Sequence, residues 1–173
     1  MTAVLVLVTG PPAAGKTTLA RPLADTLGLP LIGKDLIKEA LFDALGTGDR
    51  AWSRRLGVAS HEVLYAVAGT LPAAVLDANF APESGPRLRA LDADLVEVFC
   101  RCPADEVERR FAARAEARHP GHVDHLIGPE MKAMLAQGIE PLRLGHSVLE
   151  VDTSRPVDVA EVVAWVRGHL PST

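Results

Sequence analysis

The stretch at positions 10–17 constrains the fold of this chain more than any other feature. It is Gly-Pro-Pro-Ala-Ala-Gly-Lys-Thr and matches the pattern G-x-x-x-x-G-K-[ST] in full. An apolar run at positions 4–8 precedes it, and a helical pattern begins at Lys16. In this setting glycine-rich backbone can curl around an anion, and the amino end of the helix adds partial positive charge. The sequence therefore predicts a phosphate-binding loop between a buried strand and a helix.

We expect this loop to bind a nucleoside triphosphate together with Mg²⁺. A lysine at the position of Lys16 reaches the β- and γ-phosphates, and the hydroxyl of Thr17 is a ligand for Mg²⁺. The predicted cofactor-binding residues of the loop are Gly10, Pro11, Pro12, Ala13, Ala14, Gly15, Lys16, Thr17 and Thr18.

The remaining sequence alternates apolar runs with helical patterns. Strands are predicted near 4–8, 29–33, 73–76, 94–100 and 147–151, with helical patterns between them. This alternation indicates an α/β, doubly wound parallel sheet with helices on both faces. The length of 173 residues suits a single domain, 1–173. Ligands of such sheets bind beyond the carboxyl ends of the strands, so functional residues are expected there.

Composition argues against several partners. The net charge is −4 and aromatic residues make up 4% of the chain, so neither a basic surface nor a base-stacking platform for nucleic acid is expected. The two cysteines lie one residue apart, which suits a reducing cytoplasm better than a disulfide framework. The apolar opening stretch is too short to span a membrane and has no positive flank. We expect a cytoplasmic monomer or homodimer.

Other motifs separate the protein classes that share such a loop. The N-K-x-D motif of GTPases is absent, and the chain is too short for most oligomeric ATPase machines. A small kinase is favoured. Asp35 follows the second predicted strand, where a carboxylate could accept or orient the proton of an attacking hydroxyl, or simply cap the next helix. Lys38, one turn later, is a candidate substrate contact or part of a solvated face.

The third predicted strand ends at another carboxylate. Asp77 has the position of a Mg²⁺-holding aspartate, with a turn-forming residue as the alternative. Asn79 and Arg87 come shortly afterwards and are candidate contacts for the acceptor substrate.

Arginines concentrate late in a net acidic chain. Arg110, Arg114 and Arg118 recur every four residues, so a helix running through Arg118 would carry them on one face. Either this is a solvated face partly offset by Glu106, or it is a lid over the triphosphate at about 109–128 that stabilises the transferred phosphoryl group and excludes water. After the last strand, Asp152 and Thr153 either border the adenine or form a plain turn.

Together these residues resemble a group of small P-loop kinases that includes chloramphenicol phosphotransferase, the kinase domain of polynucleotide kinase and the zeta toxins. The similarity rests on the loop with Thr18, on Asp35, and on the segments 75–80, 110–122 and 151–154. The sequence departs from the group at Lys34, where relatives often have Ser or Thr.

The resemblance implies the P-loop NTPase fold with a five-stranded sheet of order 2-3-1-4-5. It also implies ATP with Mg²⁺ as phosphate donor and Asp35 as the base toward a hydroxyl of a small molecule. Arg110 would stack on adenine, while Arg114 and Arg118 would contact phosphates. Two alternatives remain open: a nucleotide-binding regulatory protein with weak ATPase activity, and a kinase of nucleic-acid 5′-hydroxyls.

Overall fold

The structure is a computed structural model that describes residues 2–114, 118–122, 124–145 and 147–170. Strands and helices alternate along the chain, with 3₁₀ turns at Pro82–Ser84 and Pro120–His122. The elements are β1 (Ala3–Thr9), α1 (Lys16–Leu27), β2 (Leu31–Gly33), α2 (Lys34–Leu45), α3 (Arg50–Ala68), β3 (Ala73–Asp77), α4 (Gly85–Arg89), β4 (Ala93–Arg101), α5 (Ala104–Arg114), α6 (Asp124–Gln137), β5 (Ser147–Asp152) and α7 (Val159–Arg167).

The strands form a five-stranded parallel sheet with the order β2-β3-β1-β4-β5. The central strand β1 pairs with β3 on one side and β4 on the other, with Val8 opposite Asp77 and Val98. The predicted fold class is confirmed: this is the P-loop NTPase architecture with the order 2-3-1-4-5. Because all strands are parallel, the ends of β1, β2 and β3 meet at one edge of the sheet.

Both faces of the sheet are covered by helices, as its continuous apolar strands require. On one face, Val6 and Val8 pack with α1 and α7, whose buried residues include Leu23 and Val163. On the other face, the alternate residues of β1 pack with α3 and α4, for example Leu5 against Leu64. This alternation along one strand explains why β1 is apolar at every position.

The predicted arginine helix does not include Arg118. The structure describes α5 over Ala104–Arg114, and Arg118 lies in a bend rather than in a helix. Pro120 disfavours helical backbone at the preceding residue, and a 3₁₀ turn follows instead. Helix α6 begins at Asp124, four residues before the predicted end of the loop at Gly128. Positions 115–117 and 123 of the predicted lid lie outside the described residues.

No helix in the described part of the chain is long and apolar enough to cross a membrane.

A buried carboxylate ties the loop before β5 to the centre of the sheet. Glu97 on β4 is 2% exposed, and its oxygens accept hydrogen bonds from the Thr9 hydroxyl at 2.7 Å and from the backbone N–H groups of Leu142 and Arg143, each at 2.9 Å. This carboxylate satisfies three donors that would otherwise be left without partners.

Replacing Glu97 by Leu should therefore lower the free energy of unfolding by about 2–4 kcal/mol, because three donors lose their acceptor. Urea unfolding monitored by circular dichroism measures the change. The matched control is Glu140→Leu, at an exposed residue paired with Arg101, where we expect less than about 1 kcal/mol. Equal losses in the two variants would contradict the structural role of Glu97.

Candidate active site

The phosphate-binding loop lies at the carboxyl end of β1 and forms one wall of a cavity of about 650 Å³. This volume is in the range of small-molecule sites. The cavity brings together residues predicted from five separate segments of the sequence: Pro12, Ala13, Gly15, Lys16, Thr17, Thr18, Asp35, Asp77, Asn79, Arg110, Arg114 and Thr153.

The loop packs closely on β4 at its first residue. Gly10 has a φ of +132°, and a Cβ there would lie 2.6 Å from the carbonyl oxygen of Cys100. Only glycine fits this backbone position and this contact. Gly15, the residue before α1, has a φ of +88°. These two glycines set the shape that the sequence motif predicts.

Lys16 is held inside its own loop. Its ammonium donates hydrogen bonds to the carbonyl oxygens of Pro11 at 2.6 Å and Gly10 at 3.0 Å. Burial lowers the pKa of Lys16 to about 8, although the carboxylate of Asp77 acts in the opposite direction. The ammonium of Lys16 therefore lies inside the loop and is poorly solvated. A bound anion would stabilise its charged form.

Thr17 and Asp77 are joined across the carboxyl ends of β1 and β3. The Thr17 hydroxyl donates to Oδ2 of Asp77 at 2.6 Å. Burial raises the pKa of Asp77, opposed by this hydrogen bond and by Lys16. This all-oxygen pair fits Mg²⁺, which is held in such sites by few protein oxygens, with phosphates and water as the other ligands. The described residues contain no cluster of three or more His, Cys, Asp or Glu placed to hold a metal.

Asp35 occupies the first turn of α2, directly after β2, and is flanked by two cations. Its Oδ1 is 3.1 Å from the ammonium of Lys34, and its Oδ2 accepts a hydrogen bond from Arg118. Burial alone would raise the pKa of Asp35, but Lys34, Arg118 and His122 together hold it well below the usual range. The carboxylate is thus ionised and ready to accept a hydrogen bond from a ligand.

The segment 118–122 docks on α2 and α3 and so brings Arg118 to Asp35. Gly121 lies so close to Phe42 that a Cβ would come within 2.5 Å of the ring. The carbonyl oxygen of Gly121 accepts a hydrogen bond from the Ser53 hydroxyl at 2.9 Å. The ring of His119 stacks on Phe42 with a centroid distance of 5.2 Å. These contacts give Pro120-Gly121 a docking role at this end of the predicted lid.

Two arginines of α5 face the loop from the opposite side. Arg110 donates to Oε1 of Glu106 at 2.6 Å and to the carbonyl oxygen of Ser154 at 3.4 Å. Its guanidinium lies over Gly15: a Cβ added at Gly15 would be 3.6 Å from Nη1 of Arg110. Arg114, the last residue of α5, lines the cavity and has its guanidinium carbon 5.0 Å from the centre of the Phe111 ring.

Several predicted contacts lie outside the cavity lining. Lys38 is buried and donates to the Ser53 hydroxyl at 2.9 Å, between α2 and α3. Arg87 pairs with Glu62 on the surface. Asp152 accepts hydrogen bonds from the backbone N–H and hydroxyl of Ser154 within its own turn. Arg118 is also outside the lining, and its guanidinium contacts Asp35, which is part of the lining.

The structure also shows site residues that the sequence reading missed. The segment 155–157 lines the cavity beside Arg110, with Pro156 and Val157 supplying apolar surface. Because the segment follows shortly after β5, the rule that ligands bind beyond the carboxyl ends of strands could have identified it. The charge of Asp35 also acts on His61 of α3. No motif indicated His61, because it is remote from Asp35 in sequence.

Comparisons with known proteins agree with this architecture. The profile of the AAA domain family AAA_33 matches residues 5–137. A crystal structure of a candidate kinase from Chloroflexus aurantiacus J-10-fl is 38% identical, covers 99% of this chain and 100% of its own, and has a TM-score of 0.92. A search of curated protein sequences gives no significant match.

More distant structures share the fold alone. Shikimate kinase from Acinetobacter baumannii, solved with shikimate, is 17% identical over 98% of this chain and 93% of its own, with a TM-score of 0.60. A gluconokinase from Sinorhizobium meliloti 1021 is 17% identical over 94% of this chain and 87% of its own, with a TM-score of 0.58. With its phosphate-binding loop and kinase-like sheet, the chain belongs to the AAA_33 family of AAA domains, in the P-loop kinase fold.

Proposed function

We propose that this protein transfers the γ-phosphate of ATP to a hydroxyl of a small molecule. One observation carries the proposal: the ionised carboxylate of Asp35 lines the same cavity as Lys16 and the Thr17–Asp77 pair. A nucleotide-binding protein needs only the loop, whereas transfer to an alcohol also needs a group that orients the alcohol and takes its proton.

The nucleotide side is assigned to the loop and the arginines. Lys16 exchanges its loop carbonyl partners for the phosphate oxygens, and Arg114 adds positive charge where charge accumulates during transfer. Arg110, Thr153 and the apolar surface of Pro156 and Val157 border the adenine. The backbone of the loop from Gly10 to Thr18 encloses the phosphates.

Thr17 and Asp77 would hold Mg²⁺. The ion, when bound, neutralises charge on the phosphates.

The acceptor side is assigned to Asp35. Its carboxylate accepts a hydrogen bond from the acceptor hydroxyl, orients that oxygen toward the γ-phosphorus and receives the proton as the new bond forms. Arg118, which contacts Asp35 in this structure, contacts the transferred phosphate during the reaction. Asn79 lines the cavity and is available to the acceptor, whereas Lys38 and Arg87 support the surrounding helices.

Within the P-loop kinases, we propose that this protein belongs to the group that contains chloramphenicol phosphotransferase, polynucleotide kinase and the zeta toxins. The Asp35 position and the Arg118 contact support it. No acceptor is transferred from these relatives, because the residues around Asp35 differ at Lys34.

The decisive test is a screen for ADP release with a library of hydroxyl compounds, using Lys16→Ala as the blank. We expect at least one small alcohol to raise the rate well above basal hydrolysis, with a phosphorylated product seen by mass spectrometry. Stimulation only by 5′-hydroxyl oligonucleotides would favour a nucleic-acid kinase. If no compound raises the rate above the basal level, the kinase assignment is wrong. A nucleotide-binding regulatory protein with weak ATPase activity is then favoured.

ATP binding should depend on pH through Lys16. Burial sets its pKa to about 8 before binding, and the charges of a bound triphosphate raise it, so binding above about pH 8 takes up a proton. The Kd for Mg·ATP should therefore rise by up to about tenfold per pH unit above about pH 8 and be insensitive to this group at lower pH. The phosphates themselves have finished titrating by then.

Isothermal titration calorimetry in two buffers of different ionisation enthalpy measures both the Kd and the proton uptake. In Lys16→Met, affinity should be lower but independent of pH over this range. A wild-type Kd that stays constant between about pH 7 and pH 9.5 would rule out the mechanism.

A further inference from the structure

Two side chains near Asp35 have no part in the proposed phosphate transfer. Lys34 is 13% exposed in its side chain, with its ammonium 3.1 Å from Asp35. His61, on α3, packs against the rings of Tyr65 and Phe80, with centroid distances of 6.1 Å to each. The charges of Lys34 and Asp35 both act on the imidazole of His61. Neither Lys34 nor His61 lines the cavity that contains the phosphate-binding loop, so neither is assigned to the nucleotide.

The imidazole of His61 presents a buried hydrogen-bond acceptor. Its Nδ1 lies 3.1 Å from the carbonyl oxygen of Gly57, and a carbonyl can only accept, so this contact assigns the proton to Nδ1. Burial, reinforced by the charge of Lys34, lowers the pKa of His61 and keeps the ring neutral. Nε2 is then a lone-pair acceptor that is buried and has no hydrogen-bond partner in the described part of the chain. A hydroxyl of a ligand would satisfy it.

The charge of Lys34 opposes the role of Asp35 as a base. A cation beside a carboxylate favours its ionised form and so disfavours taking a proton. Arg118, the other cation on Asp35, moves to the transferred phosphate in the proposed reaction. Lys34 has no such destination among the phosphates, since it does not line their cavity. An anionic group on the acceptor would give Lys34 a partner and relieve Asp35.

We propose that the acceptor is a small polyhydroxylated anion. Its anionic group binds Lys34, one hydroxyl donates to Nε2 of His61, and a second hydroxyl donates to Asp35. This inference rests on the proposed function. In the transfer step the second hydroxyl oxygen bonds to the γ-phosphorus, the bond to the β,γ-bridging oxygen breaks, ADP leaves with that electron pair, and the hydroxyl proton passes to Asp35.

The anionic group can be a carboxylate or a phosphate, so the test uses both. With Mg²⁺ and a non-hydrolysable ATP analogue bound, calorimetry measures binding of glycerol, glycerate and glycerol 3-phosphate. A second set is erythritol, erythronate and erythritol 4-phosphate. We expect at least one anion to bind about tenfold or more tightly than the neutral polyol of the same length. Whether the tighter ligand is the carboxylate or the phosphate shows which anionic group the site binds.

Lys34→Met should abolish this preference while leaving the affinity for the ATP analogue unchanged. The matched control is Lys132→Met, an exposed lysine on α6 that pairs with Glu108 and should retain the preference. His61→Phe preserves the ring packing but removes the acceptor nitrogen. In the wild type, glycerate should bind more tightly than 3-hydroxypropionate, which lacks one hydroxyl, and His61→Phe should erase that difference.

The inference is overturned if no anion binds, if neutral polyols bind as tightly, or if Lys34→Met keeps the anion preference. Turnover of neutral alcohols alone would overturn it and uphold the proposed kinase function. Anion binding that depends on Lys34, in a protein that phosphorylates nothing in the panel, would uphold the anion site and contradict the kinase function. The two failures are therefore distinguishable.

Discussion

Replacing Asp35 by Asn lowers kcat for phosphate transfer by an expected factor of about 10²–10⁴, with the Kd for Mg·ATP nearly unchanged. Asparagine preserves the shape of the side chain but can neither accept the hydroxyl proton nor balance the charges of Lys34 and Arg118. Because Asp35 is the acceptor-side group of the cavity, ATP binding at the loop should not need it. Steady-state kinetics with the acceptor found by the ADP-release screen gives kcat, and calorimetry gives the Kd.

Asp25→Asn is the matched control, since Asp25 is exposed near the far end of α1 and should tolerate the change. A comparable thermal midpoint in both variants would exclude misfolding as the cause of the loss. If Asp35→Asn turned over at the wild-type rate, the base assignment would be wrong, while the loop assignment would stand.

Replacing Lys16 by Met should lower kcat/KM for ATP by about a hundredfold or more, because the loop loses its only side-chain cation at the phosphates. We do not expect this variant to unfold. In the wild type the ammonium is buried at a cost that its lowered pKa reports, and the methionine side chain has similar length without that charge. The measurement pairs ATP kinetics with the thermal midpoint.

Lys132→Met serves again as the control of equal chemistry, because its lysine is 67% exposed and is not part of the cavity lining. A Lys16→Met variant that bound and used ATP like the wild type would overturn the phosphate-binding assignment itself. Loss of ATP use together with a collapsed thermal midpoint would instead attribute the effect to the fold of the loop.

In this structure the charges of the site satisfy one another. Lys16 contacts loop carbonyl oxygens, Thr17 contacts Asp77, and Asp35 contacts both Lys34 and Arg118. Under the proposed mechanism, each ligand replaces a particular internal contact: the triphosphate takes Lys16 and Arg118, and the acceptor takes Lys34. Two ligands must therefore bind before Asp35 is relieved of both cations, which would limit wasteful hydrolysis of ATP by water.

Much of the fold was predictable because its signals are local. The apolar strand, the two glycines and the lysine of positions 10–17 specify one conformation over a few residues, and the alternation of strands and helices then requires a parallel sheet. Asp35 and Asp77 were also found from position alone, since one comes two residues after β2, the other ends β3, and parallel strands end at one edge. Their meeting in one cavity follows from that topology.

The arginine helix shows where spacing was insufficient. Fourfold spacing predicted one face for Arg110, Arg114 and Arg118, but Arg118 lies outside α5 and reaches Asp35 through a segment docked on α2 and α3. Pro120 disfavours helix before it, and the packing of Gly121 on Phe42 determines where the chain goes next. Such contacts join residues far apart in sequence, and no periodicity reveals them.

The sequence by itself determined that the chain folds as a P-loop domain and at which end of the sheet the phosphate-binding loop lies, because a short motif and strand order need only local geometry. The tertiary structure decided what surrounds Asp35: Lys34 and Arg118 contact its oxygens, and its charge acts on His61, whose Nε2 has no hydrogen-bond partner among the described residues. The physical reason is that a carboxylate's environment is a sum of burial and charge from several helices, which only three-dimensional packing brings together.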